Sequence, residues 1–141
     1  MSNEGNKTIV QRFITEVLEQ GNMSFVNQLC APNYVNRMTG QGIDSLKQVG
    51  GLMKTAVPDW HFTVENMVAE DDQVVVRFTV TGTVTGSVMG SKPSGKPFSV
   101  RGLTYYRLAN GKIVEDDPIL NQDILQLIGM PATALGQLGQ M

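Results

Sequence analysis

The segment Val57-Pro-Asp-Trp-His-Phe-Thr-Val-Glu-Asn-Met-Val-Ala-Glu70 marks a change in the apolar period of the chain. Before it, apolar residues recur at helical spacing. After it they alternate with a period of two, which is typical of β-strands. The segment also contains the only tryptophan and the only histidine of the chain, Trp60 and His61. It therefore predicts a helix-to-sheet boundary and carries two candidate site residues.

The part before this boundary predicts three helices. In residues 6–20 the apolar positions form one stripe: Ile9, Val10, Phe13, Ile14, Val17 and Leu18. Residues 23–30 predict a second, short helix that places Cys30 on a helix, and residues 33–36 predict a short extended piece. Residues 43–56 predict a third helix, which Gly50 and Gly51 weaken in the middle.

The part after the boundary predicts four strands with turns between them. They are residues 62–68, in which Phe62, Val64, Asn66 and Val68 share a face, and residues 73–84, 98–108 and 112–120. Asp71-Asp72 and Ala109-Asn110-Gly111 are turn signals, and residues 123–128 predict a short terminal helix. Helices followed by an antiparallel meander indicate the α+β class.

Composition limits the number of domains and the kinds of partner. The chain has 141 residues, of which 41% are hydrophobic and 17% charged, which suits one globular domain. We place that domain at residues 1–130 and expect residues 131–141 to form a C-terminal tail. The net charge of −2 provides no basic field for a nucleic-acid backbone, so we expect no nucleic-acid partner.

The same composition bears on location and on metal sites. The single cysteine, Cys30, excludes an internal disulfide and the multi-cysteine zinc sites. The first residues have no apolar run that would indicate a signal peptide, and no apolar segment is long enough to span a bilayer. We therefore expect a cytoplasmic protein without a membrane partner.

Three pieces of the chain, in this order and spacing, form a recognisable pattern. They are residues 21–35, from Gly21-Asn-Met-Ser to Ala31-Pro-Asn-Tyr-Val35; residues 58–96, from Pro58-Asp-Trp-His61 through Thr81-Gly-Thr83 to Ser94-Gly-Lys96; and residues 106–129, with Gly111-Lys-Ile-Val-Glu115 and Gln126-Leu-Ile-Gly129. Together the pieces resemble the SnoaL-like polyketide cyclase (ester cyclase) family of the NTF2-like superfamily.

This resemblance implies a fold and a chemistry. The fold is an NTF2-like, cystatin-like cone, in which a curved antiparallel sheet packs on three N-terminal helices and encloses an apolar pocket. Homodimers through the outer face of the sheet are implied as well. The family's cyclases close a polyketide ring by intramolecular aldol condensation, with no metal or organic cofactor. An aspartate near the end of the last strand moves the proton.

The chain departs from the family pattern at three positions. Val84 stands where the family commonly has a pocket histidine, and Asp117 stands where it commonly has a tryptophan. Asn121 aligns with the acid/base aspartate, but an asparagine cannot titrate. Since the following stretch is one residue shorter than usual, Asp123 is the alternative for that role.

The candidate catalytic residues have alternative interpretations. His61 is either a general base or hydrogen-bond donor in the pocket, or a strand-edge histidine half in solvent. Trp60 should then point to the opposite face. In a regular strand Asp117 shares a face with Ile113 and Glu115. A buried Asp117 would have a raised pKa suited to proton transfer, whereas beside Pro118 it would simply be a solvated strand end.

Besides Trp60 and Val84, four further residues are candidates for substrate binding. Tyr34 and Asn36 follow the second helix, and Asn36 offers both a donor and an acceptor to a ligand. Arg101 and Tyr105 share one strand face, which we expect to be the outer one. If that face lay inside, Arg101 could hold a substrate carboxylate bidentately.

These observations support hypotheses from three classes of function. The first is an enzyme of cyclase or isomerase type that acts on a small apolar or aromatic ketone or ester. The second is a non-catalytic module that binds a small apolar ligand and has lost the acid/base residue. The third is a sheet-mediated dimer that serves as a scaffold, with a pocket filled by the chain's own side chains.

Overall fold

The computed structural model describes residues 2–87, 90, 92–122 and 124–128. Helix α1 spans Asn3–Arg12 and continues as a π-helical segment over Phe13–Glu19. A 3₁₀ turn over Met23–Phe25 leads into α2, Val26–Leu29. Helix α3 spans Ile43–Ala56, and α4 spans Ile124–Leu127. None of the helices within the described ranges is long and apolar enough to cross a membrane.

Local sequence features determine where the first helix begins and which face of it is buried. The Ser2 side chain caps α1 by accepting a 3.0 Å hydrogen bond from the Gly5 N–H. The apolar stripe that was predicted then buries Val10, Phe13 and Val17 completely. The second helix is shorter than predicted, because Cys30 is already the first residue of a strand.

Five strands form one sheet in the order β1-β5-β4-β3-β2. Their bounds are β1 Cys30–Asn36, β2 His61–Glu70, β3 Gln73–Thr83, β4 Pro97–Ala109 and β5 Lys112–Leu120. The pairs β2–β3, β3–β4 and β4–β5 are antiparallel, as predicted. The sheet is mixed rather than purely antiparallel, because β1 joins its edge parallel to β5.

Both predicted hairpin turns have left-handed backbone. Asn110 and Gly111, between β4 and β5, have φ of 53° and 77°. Positive φ at both central residues is what a two-residue type I′ turn requires. Asp71, between β2 and β3, has φ of 56°.

Two β-bulges reverse the side-chain alternation that the sequence suggests. In β2 the pairing moves from Val64↔Phe78 to Asn66↔Arg77, so Glu65 is an extra residue. The expectation that Val68 shares a face with Val64 is therefore wrong. Val68 is 64% exposed, and Met67 packs inward instead. A one-residue shift moves every later side chain to the other face.

The second bulge lies in β5. Arg107 pairs with Glu115 and Leu108 with Ile113, which leaves Val114 as the extra residue. The expectation that Ile113, Glu115 and Asp117 share one face is wrong for this reason. Beyond the bulge, Glu115 lies on the outer face, where it accepts hydrogen bonds from Arg37 and Arg107. Asp116 takes the inward position.

The core lies between the helices and the inner face of the sheet. Phe13 of the π-helical segment meets Tyr106 of β4 edge to face, with ring centroids 5.9 Å apart. Val74, Val76 and Ile113 are fully buried around them. The predicted α+β, NTF2-like architecture is confirmed, with a curved sheet that does not close and helices on one face.

Candidate functional site

A cavity of about 140 Å³ lies between helix α3 and the inner face of the sheet. Most of its lining is apolar. The lining residues are Leu18, Asn36, Met38, Leu46, Val49, Gly50, Met53, Trp60, Phe62, Phe78, Val80, Thr104, Tyr106, Asp116, Pro118, Leu120 and Ile124. An apolar hollow with a few polar groups is the usual form of a small-molecule site.

One end of the cavity is aromatic. The rings of Trp60 and Phe62 meet edge to face with centroids 4.9 Å apart, and Phe62 lies 5.7 Å from Phe78. Phe78 lies on β3 and Phe62 on β2, and Trp60 immediately precedes β2. The aromatic end is thus built by neighbouring strands, and an apolar ring can pack against it.

The π-helical segment holds this aromatic end in place. The Trp60 indole Nε1–H donates a 2.6 Å hydrogen bond to the carbonyl of Leu18. The Lys54 ammonium donates to the next carbonyl, that of Glu19, at 3.0 Å. The last carbonyls of a helix lack partners within the helix. Here Trp60 and Lys54 satisfy them, which fixes the indole against the cavity.

The opposite end of the cavity is polar and centres on Asp116. Asn36 pairs with Asp116 across β1 and β5, and Asp116 pairs with Tyr106 across β5 and β4. Asn36, Asp116 and Tyr106 thus form one row across three strands, and all of them line the cavity. Asp116 is 5% exposed, so its carboxyl group is almost entirely removed from water.

A hydrogen-bonded pair fixes the Asp116 side chain. The hydroxyl of the buried Tyr34 donates a 3.1 Å hydrogen bond to Oδ2 of Asp116. The other oxygen, Oδ1, is buried and has no hydrogen-bond partner among the described residues. A buried polar atom without a partner is costly. Asp116 is also one of the residues that line the cavity.

Burial raises the pKa of Asp116 to about 7, from an ordinary value of 3.8. The hydrogen bond from Tyr34 opposes this shift, because it favours the ionised form, and the nearby charge of Asp117 adds to it. A carboxyl group with a pKa near 7 can both accept and donate a proton at neutral pH.

The titratable groups that face Asp116 from neighbouring strands do not titrate in this range. Burial raises the pKa of the Cys30 thiol on β1 to about 12. Burial also raises the pKa of Tyr34 and of Tyr106 well above the usual tyrosine value. Within the described part of the chain, Asp116 is therefore the group in this cluster that changes its charge near neutrality.

The structure places Trp60 and His61 on opposite faces, as predicted, with Trp60 in the cavity wall. The side chain of His61 is 63% exposed, and its Nδ1 lies 2.7 Å from Oε1 of Glu19. The same Glu19 oxygen accepts a 2.7 Å hydrogen bond from the Phe62 N–H. His61 thus lies at the outer edge of β2, and its catalytic role remains a prediction.

Asn121 and Arg101 contact each other outside the cavity. The Asn121 side-chain Oδ1 accepts a 2.9 Å hydrogen bond from the Arg101 N–H, and the Asn121 N–H donates a 2.9 Å bond to the Arg101 carbonyl. Both residues are exposed. Asn121 therefore extends the β4–β5 ladder beyond the end of β5.

The remaining predicted site residues are spread over the molecule. Tyr105 and Asp117 pair across β4 and β5 on the outer face of the sheet. Val84 is 3% exposed and belongs to the core. Asp123 lies outside the described residues. Of the predicted set, Asn36 and Trp60 line the cavity, and Tyr34 reaches it through Asp116.

Asp116 was not among the predicted site residues, although the sequence contains a signal for it. Ile113 and Val114 are adjacent apolar residues, which breaks a strict alternation and indicates a bulge. Counting back from Leu120 through Pro118 in steps of two reaches Asp116. Counting forward from Ile113 reaches Asp117, and the bulge makes the backward count the correct one.

The described residues contain no cluster of three or more histidine, cysteine, aspartate or glutamate side chains placed to hold a metal ion. The polar groups of the cavity suit proton transfer and hydrogen bonding. Tyr34, Asn36 and Asp116 supply a hydroxyl, an amide and a carboxyl group.

Solved structures of similar fold come from several bacteria. AclR from Streptomyces galilaeus, proposed to be a hydroxylase, is 23% identical with a TM-score of 0.76 over 99% of this chain and 92% of that one. IdmH from Streptomyces antibioticus, proposed to be a polyketide cyclase, is 24% identical with a TM-score of 0.73 over 89% and 99%. A SnoaL-like polyketide cyclase from Agrobacterium tumefaciens is 15% identical with a TM-score of 0.73 over 92% and 100%.

At these identities the likeness shows the fold and leaves the reaction open. Comparison with curated proteins finds no match. The family model of SnoaL-like polyketide cyclase, however, matches residues 8–122, which is well over half of the chain. The protein therefore belongs to the SnoaL-like polyketide cyclase family.

Proposed function

We propose that the protein is a cofactor-independent acid/base enzyme, a cyclase or isomerase of small apolar or aromatic ketones or esters, and that Asp116 moves the proton. The observation that carries the proposal is a buried carboxyl group in a mostly apolar cavity, with one oxygen unpartnered among the described residues. Perturbed carboxyl groups in such cavities are typical of catalytic sites.

The proposed step begins with ionised Asp116. Its Oδ1 takes a proton from the carbon next to a substrate carbonyl, so that one C–H bond breaks and one O–H bond forms. The electron pair of the broken bond moves toward the carbonyl oxygen and gives an enolate. Tyr34 keeps its hydrogen bond to Oδ2 and so steadies the carboxylate before the proton is taken.

The enolate can react in two ways that need neither an oxidant nor a reductant. In an isomerisation, Asp116 returns its proton to a different atom of the same substrate. In a ring closure, the enolate carbon attacks a second carbonyl of the molecule, and Asp116 protonates the new alkoxide. The Asn36 amide and the Thr104 hydroxyl line the cavity and can donate to the developing oxygen charge.

The test measures proton removal from an offered substrate directly. The protein is incubated in deuterated buffer with enolisable ketones and polyketide methyl esters, and NMR records deuterium at the α-carbon while chromatography records ring closure. Asp116→Asn should lower exchange by about 100-fold or more, since general-base catalysis contributes that much. Asp117→Asn is the matched control, because it removes the neighbouring carboxylate on the outer face.

A specific observation favours a non-catalytic binding module as the second candidate. Asn121, the residue aligned with the family's acid/base aspartate, cannot titrate and lies exposed at the end of the sheet. A ligand that raises the melting temperature without any exchange or closure would support this candidate. The scaffold alternative assumed a filled pocket, and the cavity of about 140 Å³ argues against it.

We propose that the protein acts as a cytoplasmic homodimer that pairs through the outer face of the sheet. This face carries exposed apolar side chains, among them Val68 at 64%, Leu103 at 48% and Ile119 at 71%. Exposed apolar patches of this kind often mark interfaces. Sedimentation of wild type and Leu103→Glu decides the point: a dimer that the charge dissociates supports it, and a wild-type monomer contradicts it.

A further inference from the structure

The cavity has two chemically different ends on neighbouring strands. Its polar end is the row Asn36–Asp116–Tyr106 on β1, β5 and β4. Its apolar end is the aromatic end described above, extended by Leu120. Phe78 and Leu120 both flank Gly102 of β4. Asp116 and Leu120 are four residues apart on one strand, so the ends are separated by about 13 Å at 3.3 Å per residue.

Gly102 allows the two apolar side chains to close over the sheet. A Cβ atom at this position would lie 2.6 Å from Cδ2 of Leu120 and 3.0 Å from Cζ of Phe78. Because glycine has no Cβ, Leu120 and Phe78 fill that space. The side chains of Leu120 and Phe78 therefore form the wall of the apolar end above Gly102.

The cavity is also small. Its volume of about 140 Å³ is well below the 300–1,000 Å³ of drug-sized pockets. An apolar cavity of about 150 Å³ is known to hold one benzene molecule. One aromatic ring with a short polar substituent fits this space, whereas a fused polycyclic skeleton does not.

The lining also bears on the charge of the occupant. None of the described residues that line the cavity is lysine, arginine or histidine, so an anion would find no positively charged partner there. The indole N–H of Trp60 is already donated to the Leu18 carbonyl. Tyr34 donates to Oδ2 of Asp116, so a proton on this carboxyl group resides on Oδ1, the oxygen without a partner among the described residues. An uncharged carbonyl compound is compatible with both protonation states of Asp116.

We propose that the substrate is a neutral ketone of about one aromatic ring, with its carbonyl side chain beside Asp116 and its ring against Trp60 and Phe62. This inference names the substrate class of the site and rests on the proposed function. It also separates this protein from an enzyme for fused-ring polyketides, because a cavity volume of about 140 Å³ holds one ring.

The binding test uses four probes at pH 7 by isothermal titration calorimetry. Acetophenone is the one-ring neutral ketone, benzoate and benzylamine are its anionic and cationic counterparts, and 2-acetylanthracene is the three-ring ketone. We expect acetophenone to bind at least 10-fold more tightly than each of the other three. Tighter binding of benzylamine, of benzoate or of the three-ring ketone would overturn the charge or the size assignment, and no acetophenone binding at millimolar concentration would overturn both.

Variants of Phe62 test whether the ligand binds at the aromatic end and whether this end limits the ligand's size. Phe62→Ala should raise the affinity for the two-ring ketone 2-acetylnaphthalene relative to acetophenone by about 10-fold, because it enlarges the aromatic end. Phe62→Leu gives a smaller change in the same direction and serves if the alanine variant does not fold. Val75→Ala, on the outer face, should leave the ratio unchanged. An unchanged ratio in folded Phe62 variants would show that this end does not set the size limit.

The experiments distinguish failure of the proposed ligand class from failure of the proposed function. Selective acetophenone binding without deuterium exchange at its methyl group would refute the proposed function and leave the ligand class standing. Exchange that depends on Asp116, together with tighter binding of the three-ring ketone, would refute the ligand class and leave the acid/base function standing.

Discussion

The hydroxyl of Tyr34 donates a 3.1 Å hydrogen bond to Oδ2 of Asp116, and both side chains are buried. This contact distinguishes the two carboxyl oxygens. Oδ2 is held by β1, whereas Oδ1 remains without a partner in the described part of the chain. The hydrogen bond also limits how far burial raises the pKa of Asp116, because it stabilises the carboxylate.

Tyr34→Phe should therefore raise the pKa of Asp116 above its value of about 7. The proposed reaction needs the ionised form, so the acidic limb of the rate profile should move to higher pH. The measurement is deuterium exchange into acetophenone from pH 5 to pH 9. At pH 6 the variant should be slower than wild type, and the difference should shrink as pH rises.

Tyr105→Phe is the matched control for this substitution. Tyr105 is adjacent in sequence to Tyr106 but lies on the outer face, opposite Asp117. Its profile should coincide with that of wild type. If Tyr34→Phe also leaves the limb in place, Asp116 is not the group whose ionisation governs the rate.

Asp116 should make the free energy of unfolding depend on pH in a definite direction. The folded pKa of about 7 exceeds the ordinary value of 3.8, so the folded state binds the proton more tightly. This contribution is fully present below pH 4 and is lost as pH rises through 7. Three pKa units correspond to a loss on the order of 4 kcal/mol.

Urea unfolding of wild type and Asp116→Asn from pH 4 to pH 8.5 measures this loss. An asparagine cannot ionise, so the variant should gain stability relative to wild type as pH rises, while other titrating groups cancel in the difference. Asp117→Asn keeps the buried carboxyl group and should lose stability over the same range, by slightly less than wild type, because the Asp117 charge adds to the raised pKa of Asp116. A constant difference between wild type and Asp116→Asn would mean that the carboxyl group is not buried in the folded protein.

The sequence predicted the α+β architecture because apolar period is a strong signal over long segments. The helical stripe of residues 6–20 and the turn at Asn110-Gly111 both have local physical causes. The faces of β2 and β5 were predicted incorrectly because a single extra residue, Glu65 or Val114, inverts everything beyond it. In β5 the adjacent apolar pair Ile113-Val114 is the local signature of the bulge, whereas in β2 both alternations contain apolar residues and the bulge has little local signature.

The site was harder to predict than the fold for a related reason. Trp60 was recognised as a candidate, since an aromatic side chain before a strand often lines a pocket. His61 drew attention by residue type, but its neighbour Glu19 holds it at the edge. The importance of Asp116 depends on the bulge in β5 and on Tyr34, which is 82 residues away in the chain. Sequence-local reasoning does not include such a contact.

His61→Ala should leave turnover within about twofold of wild type, because the exposed imidazole does not line the cavity. Its hydrogen bond to Glu19 is a surface interaction, so the loss of stability should stay within about 1 kcal/mol. Exchange kinetics and urea unfolding measure the two effects. A large fall in exchange rate with unchanged stability would restore His61 to the mechanism.

Gly51→Ala should stabilise the protein by about 0.5–1 kcal/mol, because alanine favours the helix more than glycine does. A Cβ at Gly51 would have no atom within 4 Å, so the gain in helix propensity of α3 comes without a steric clash. Gly50→Ala is the matched comparison, since it has the same gain in propensity on the same helix. There the new Cβ would lie 2.5 Å from Cε of Met23, at a position that also lines the cavity.

Urea unfolding should therefore show a smaller gain or a loss for Gly50→Ala, and calorimetry should show weaker acetophenone binding for this variant alone. Equal gains and unchanged binding in both variants would mean that α3 lies farther from the cavity than the structure places it.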